Sequence, residues 1–122
     1  GPFPDSTGRW IDRPAHSDER AAAIALYAAL VADASLDLIG ASGTLLVEGR
    51  FAASELFVRA LASLRPDMQV YTAGAEADVS FGALRLLAPD LAPAGQPMPV
   101  DPLADDLSAY RAEWLDDLEV FL

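Results

Sequence analysis

The chain carries 19 acidic against 8 basic residues in 122, a formal net charge of −11, with no Cys and a single His. That composition excludes disulfides, thiolate catalysis, zinc fingers and multi-histidine metal centres, and an acidic chain without a basic cluster does not suit phosphate-backbone binding, so no nucleic-acid partner is expected. At 52% apolar residues it has the make-up of a folded domain with its own core rather than of a disordered acidic segment.

Gly1 to Pro14 reads as loop, because Pro2, Pro4, Gly8 and Pro14 break regular structure; Phe3, Trp10 and Ile11 are its core candidates. Ser17 is in position to cap a helix, and Asp18 and Glu19 suit the positive end of its dipole. The helix is expected from Asp18 to about Leu38. Ile24, Tyr27, Val31 and Ala34 recur at three- and four-residue spacings, with Leu30 and Leu38 extending the stripe. Gly40 and Gly43 end it, since the left-handed turn after a helix favours Gly. Thr44-Leu-Leu-Val47 fits a short buried strand that stops at Glu48-Gly49-Arg50. A second helix follows from Ser54 to Leu64, with Leu56, Phe57, Ala60, Leu61 and Leu64 on one face, and Arg65-Pro66-Asp67 closes it. Gln69-Val-Tyr-Thr72 reads as a second strand and Ala73-Gly74-Ala75 as a turn. A third helix is expected over Asp78–Leu87, where Gly82-Ala83 offers a thin packing surface. Residues 88–103 hold five prolines and form an extended surface connection; residues 104–122 form an acidic amphipathic helix through Leu107, Tyr110, Trp114 and Leu118.

Alternation of helix and strand predicts an α/β layer fold with parallel strands. Two strands make a thin sheet, so either a further strand hides near Arg9-Trp10-Ile11 or the rest of the sheet belongs to another part of the polypeptide. The start at Gly1-Pro2 without Met fits either a protease-cut tag scar or a piece of a longer protein, and the piece is the favoured expectation. No charge-free apolar stretch of about 18 residues occurs, so no membrane-spanning helix is expected. Nothing at the N-terminus has the basic-then-apolar pattern of a signal peptide. Cytoplasm is the default compartment.

Candidate chemistry is sparse. His16, Ser17 and Asp18 are consecutive at a helix start, whereas the members of a catalytic triad converge from separate places; a triad is rejected. Seven acids and one Arg fill residues 101–122, but no Asp-x-Asp-x-Asp-Gly loop curls oxygens around a cation, and a solvated helix face explains them. No catalytic residue and no metal ligand is assigned. The glycines of Gly40-Ala-Ser-Gly43 and Val47-Glu-Gly-Arg50 can admit a phosphate or a base close to backbone. Neither precedes Lys-Ser/Thr as a phosphate-binding loop does, and turn chemistry explains them equally well.

Four consecutive blocks carry a resemblance: the helix opening Asp18-Glu-Arg-Ala-Ala through Tyr27, the strand Thr44-Leu-Leu-Val47 with Glu48-Gly49-Arg50-Phe51, the helix Phe57–Leu64 with Gln69-Val-Tyr71, and Asp78-Val-Ser-Phe-Gly-Ala-Leu-Arg-Leu86. Over about Arg9 to Leu87 the chain resembles the C-terminal portion of the FGGY family of carbohydrate kinases. The resemblance implies a partial ribonuclease-H-like, actin-like ATPase lobe with two or three mostly parallel strands packed by helices. It implies a parent enzyme that transfers a phosphoryl group from ATP to a sugar hydroxyl with Mg²⁺. Gly49, Arg50 and Phe51 would then lie against the nucleotide, with Glu48 standing where the family usually has the first Gly of a Gly-Gly turn. The family's catalytic Asp and phosphate-binding segments lie upstream, so this chain alone is expected to be inactive. Its partner would be the missing N-terminal lobe of the same polypeptide, or a second copy covering the open apolar face. The competing expectation is a small acidic, non-catalytic interaction module docking through Tyr110, Trp114 and Leu118.

Overall fold

A computed structural model describes residues 2–5, 7–73, 83–84, 86–90 and 96–121. Its elements in chain order are helix α1 (Ser17–Leu38), strand β1 (Thr44–Val47), a 3₁₀ turn (Gly49–Ala53), helix α2 (Glu55–Leu64), strands β2 (Gln69–Thr72) and β3 (Met98–Pro99), and helix α3 (Ser108–Phe121). The expected helix over Asp78–Leu87, with its Gly82-Ala83 pair, lies largely outside the described residues, as does most of the turn at Ala73-Gly74-Ala75; Ala83, Leu84, Leu86 and Leu87 are helical.

α2 is the centre of the molecule. Phe57, Val58, Ala60, Leu61, Ala62 and Leu64 are all buried, more than one stripe of the helix, as expected of an element covered on several sides. Ser54 starts it, its hydroxyl accepting the Phe57 N–H at 3.4 Å. α1 packs along α2 through Ala29 and Leu30, whose small and medium side chains let the two helices approach closely. The stripe expected on α1 is rotated from the buried face. Ile24, Tyr27 and Leu38 are more than half exposed, whereas Ala29, Leu30 and Asp33 are buried and Leu26 and Leu36 pack against the core. Alanines made the difference: with so many Ala positions, bulk marks the apolar face poorly, and the helix turns its smallest surface to its neighbour.

Two further details of α1 differ from expectation. His16, not Ser17, occupies the capping position, and its side chain makes no cap bond. α1 also has the length and overall apolarity to cross a bilayer, although Asp33 and Asp37 interrupt its apolar run and one face packs on α2. Its end is a Schellman turn: Ala41 N–H reaches Leu36 carbonyl at 2.9 Å and Gly40 N–H reaches Asp37 at 3.0 Å, with Gly40 at φ +65°.

The sheet is mixed, with order β1-β2-β3. β1 and β2 are parallel in the register Thr44 to Gln69 through Val47 to Thr72, and Leu45 and Val47 face the core. The third strand does not come from Arg9-Trp10-Ile11, which forms no strand. It comes from the proline-rich connection, where Met98 and Pro99 pair antiparallel with Thr72 and Tyr71. Pro99 suits a sheet border, where its missing N–H costs no ladder bond. Trp10 and Ile11 are 43% and 58% exposed rather than core residues. The expectation of mostly parallel strands is thus corrected to one parallel and one antiparallel pair among the described residues.

Past β3 the chain is tied to α2 by side chains. Arg59 Nε and Nη2 donate to the carbonyls of Asp101 and Pro102, both at 3.3 Å, and Ser63 Oγ accepts the Leu103 N–H at 2.8 Å. A proline-rich segment is short of N–H donors, so its carbonyls need donors from elsewhere; Arg59 supplies them. α3 then lays Leu107, Arg111, Trp114 and Leu118 inward at helical spacing, while Glu113, Asp116 and Asp117 are exposed.

Candidate functional site

β1 and β2 end side by side, with the Ala73 N–H bonded to the Val47 carbonyl at 3.0 Å. Ligands of open α/β sheets bind beyond the carboxyl ends of parallel strands, and the chain leaves β1 there through Glu48-Gly49-Arg50-Phe51. Glu48 is extended at φ −122°, a conformation any residue adopts, so position 48 has no steric need for Gly. Gly49 differs. Its φ of +73° lies in the left-handed region, and the position its Cβ would take has nothing within 4 Å. Gly49 is required by backbone conformation and faces open space.

The same turn fixes Phe51. Its ring meets the Phe57 ring at a centroid distance of 4.8 Å, yet Phe51 remains 56% exposed. Phe57 is buried in α2, so the contact pins an exposed aromatic edge to a rigid helix beside the glycine. Arg50 is exposed in the same turn. Glycine, cation and aromatic therefore share five residues of 3₁₀ structure, the three residues singled out from sequence. A shallow groove of about 430 Å³ runs along the start of α2 and the ends of β2 and β3, lined by Ala52, Ala53, Glu55, Arg59, Thr72 and Asp101 among others; Gly49, Arg50 and Phe51 do not line it. A larger groove, about 570 Å³, lies towards the opposite end of α2, next to Met68, Gln69, Pro99 and Asp105.

Among the described residues, no group of three or more His, Cys, Asp or Glu could hold a metal ion. The acids of residues 101–117 are spread over the surface. Asp106 is held below the ordinary carboxylate range, first by the Ser108 hydroxyl and then by the Ser108 N–H, both donating to its Oδ1. It tethers the start of α3.

The strongest electrostatic feature was not anticipated. Asp33, 2% exposed, receives Arg65 Nη1 on Oδ1 at 3.3 Å and Arg111 Nη1 on Oδ2 at 3.1 Å. Arg65 also donates to Asp37 and, through Nη2, to the Ala41 carbonyl at 3.2 Å. The Asp37 bond, aided by both carboxylates, holds the Arg65 guanidinium above its ordinary range despite the opposing cost of burial. Every oxygen of Asp33 is satisfied, so the cluster joins α1, the end of α2 and α3; it is a structural joint and not a reactive centre. Arg111, which stands alone among acids in sequence, turns away from them to reach Asp33. The one sign available beforehand was an Asp within an alanine-rich helix.

The supposed docking anchors of α3 divide. Trp114 is half-buried between Phe3 and Tyr27, with edge contacts at 5.5 and 6.3 Å, and packs against the core. It is used internally, which counts against a free docking face centred on it; Tyr110 remains 43% exposed.

Comparison with known proteins bears on the family and the fold. Residues 1–96 match the family model described as carbohydrate kinase FGGY, C-terminal domain. The chain therefore belongs to the FGGY carbohydrate kinase family, as part of its C-terminal domain. Its fold is similar to the crystal structure of a carbohydrate kinase from Novosphingobium aromaticivorans, with a TM-score of 0.82 and 58% sequence identity. That match covers 96% of this chain and 26% of the other, so the chain spans about a quarter of its relative's length. No curated protein matches it.

Proposed function

We propose that this chain forms the nucleotide-facing part of the C-terminal lobe of an ATP-dependent sugar kinase. In this reading residues 1–122 are one partial domain of ribonuclease-H-like, actin-like ATPase type, with 88–103 as its proline-rich connection and 104–122 as its acidic C-terminal segment, helical over Ser108–Phe121. The supporting observation is Gly49: a left-handed glycine beyond the carboxyl end of a parallel strand, open above its Cα, with an exposed aromatic edge beside it. Such a shelf suits a flat base or ribose, which must approach backbone closely. Phe51 would bound the base and Arg50 would add positive charge near the phosphates.

When bound, ATP would supply the phosphoryl group and Mg²⁺ would supply positive charge for its transfer to a sugar hydroxyl. The residues here fit the base-and-ribose side of that task and not the metal side, which falls to the remainder of the polypeptide. Positioning and charge stabilisation need both lobes, so the isolated chain is inactive. Sugar contacts would come from the N-terminal lobe, and a cytoplasmic setting belongs to the same proposal.

The test is an ATP titration followed by backbone resonances, together with coupled ADP-release assays of the complete reading frame across a panel of sugars. Expected results are shifts centred on Gly49, Arg50 and Phe51 and sugar-dependent ADP release. Shifts elsewhere, or no phosphoryl transfer to any sugar, overturn the reading.

A further inference from the structure

We infer that Glu48 selects a ribonucleotide at the Gly49 turn, its carboxylate accepting hydrogen bonds from the 2′- and 3′-hydroxyls of the ribose. The inference rests on the kinase reading above and adds the residue that reads the sugar of the nucleotide.

The strand places Glu48. Leu45 and Val47 pack against the core, and side chains alternate across a strand, so Leu46 and Glu48 fall on the other face of the sheet. Leu46 is 45% exposed there. Glu48, still extended at φ −122° and ψ 168°, is exposed as well. Phe51 lies on the core side, its ring against Phe57 of α2. A nucleotide lying across the open backbone of Gly49 therefore has the aromatic edge of Phe51 towards one end and the Glu48 carboxylate towards the other.

Charge decides which part of the nucleotide Glu48 meets. Glu48 and Arg50 flank Gly49 with opposite charges, and among the described residues neither takes part in an ion pair. Phosphates repel a carboxylate, so they belong with Arg50. A carboxylate only accepts hydrogen bonds. Adenine sets its N6 amino donor beside the N7 acceptor, so the second oxygen of a carboxylate placed there would face a lone pair. A ribose offers two adjacent O–H donors, one for each oxygen of Glu48. Dinucleotide-binding α/β folds likewise hold a ribose hydroxyl with an acidic side chain. The extended backbone at position 48 accepts any residue, so the acid costs the turn nothing.

Titration calorimetry on the polypeptide from the complete reading frame, without sugar, tests this with ATP, 2′-deoxy-ATP, 3′-deoxy-ATP and GTP. The wild type should bind ATP about tenfold more tightly than either deoxy analogue, as hydrogen bonds to a charged group require. Glu48→Ala should weaken ATP by that factor and leave the deoxy analogues unchanged, so that the preference disappears. Glu48→Gln, which keeps one acceptor oxygen, should retain part of it. An equal loss for ATP and both deoxy analogues means a structural role and overturns the inference. So does tighter ATP binding in Glu48→Ala, which puts the carboxylate beside phosphate, or a change confined to the ratio of ATP to GTP, which puts it beside the base. ATP binding without preference over the deoxy analogues overturns this inference and leaves the kinase reading standing; no binding of any nucleotide overturns both.

Discussion

Asp33 has the largest effect expected of any single side chain. It is a buried carboxylate shared by the guanidinium groups of Arg65 and Arg111, and removing it leaves Arg111 without that partner while Arg65 keeps Asp37 and the Ala41 carbonyl. Asp33→Ala is expected to cost about 3 kcal/mol, the low end for a broken buried pair because Arg65 keeps Asp37, a large share of the roughly 5–15 kcal/mol that holds a domain together. Urea unfolding monitored by far-ultraviolet dichroism measures it; a loss under 1 kcal/mol means that Arg65 and Arg111 find water at no cost. Gly49 makes the opposite kind of case. Nothing lies within 4 Å of its missing Cβ, so Gly49→Ala meets no clash, only the strain of a left-handed L-residue, about 1–2 kcal/mol. The same unfolding experiment should show that loss, and Glu48→Gly, at an extended position, should show no comparable gain. Neither residue's importance follows from hydrophobicity, the property by which a sequence is most easily read.

At the level of elements, α3 is held by a few contacts and should be separable from the rest. Trp114 packs on Phe3, Tyr27 and the core but is not fully buried, so Trp114→Ala is expected to cost about 2 kcal/mol, less than a fully enclosed Trp. Tyr110→Ala, at an exposed position, should stay within about 0.5 kcal/mol. Thermal melts of both variants decide it, and equal losses would mean that α3 docks through a different face. The start of α3 also depends on pH. Asp106 has a carboxyl group shifted below its usual 3.8 by Ser108, so its contribution is complete above that value and fades as pH falls through the lower folded value. Amide exchange at Ser108 should therefore rise, relative to the intrinsic rate, only below about pH 3.8, and Asp106→Ala should remove that step. Legibility followed the strength of the local signal. β1 and β2 were readable to the residue because short β-branched and Leu runs lay between Gly and Pro breaks. α2 was readable because its apolar residues repeat at helical spacing behind a Ser cap. The face of α1 was not, since alanines blur its stripe, and β3 was not, since two residues beside prolines carry no periodicity and pair only because β2 offers an edge. The glycine turn was visible as Gly49-Arg-Phe; its left-handed backbone and the Phe51–Phe57 contact depend on tertiary placement. Asp33 was hidden for the same reason, its partners lying 32 and 78 residues away.

For the whole molecule, two opposing properties meet at its surface. Trp10, Ile24, Ile39, Leu46 and Phe51 are among many large apolar residues left 43% exposed or more, which favours association. A net charge of −11 opposes it. Over half of that charge comes from residues 101–122, with α3's only basic side chain, Arg111, turned inward to Asp33. Repulsion of this origin is long-ranged and screened by salt: the Debye length is about 30 Å at 0.01 M and about 3 Å at 1 M. Apolar contact has no such dependence and is strengthened by excluded salts such as sulfate. The isolated chain should therefore sediment as a monomer at low ionic strength and associate as sodium chloride rises, reaching dimers or larger species at micromolar concentration by about 1 M, where screening is nearly complete. An Ile39→Ser, Leu46→Ser variant, which removes two of these exposed apolar side chains, should associate less over the same range. Sedimentation velocity on both proteins separates the contributions. If the isolated chain keeps one mass at every salt concentration, its exposed leucines and aromatics are too dispersed to act as a surface, and charge is not what keeps copies apart.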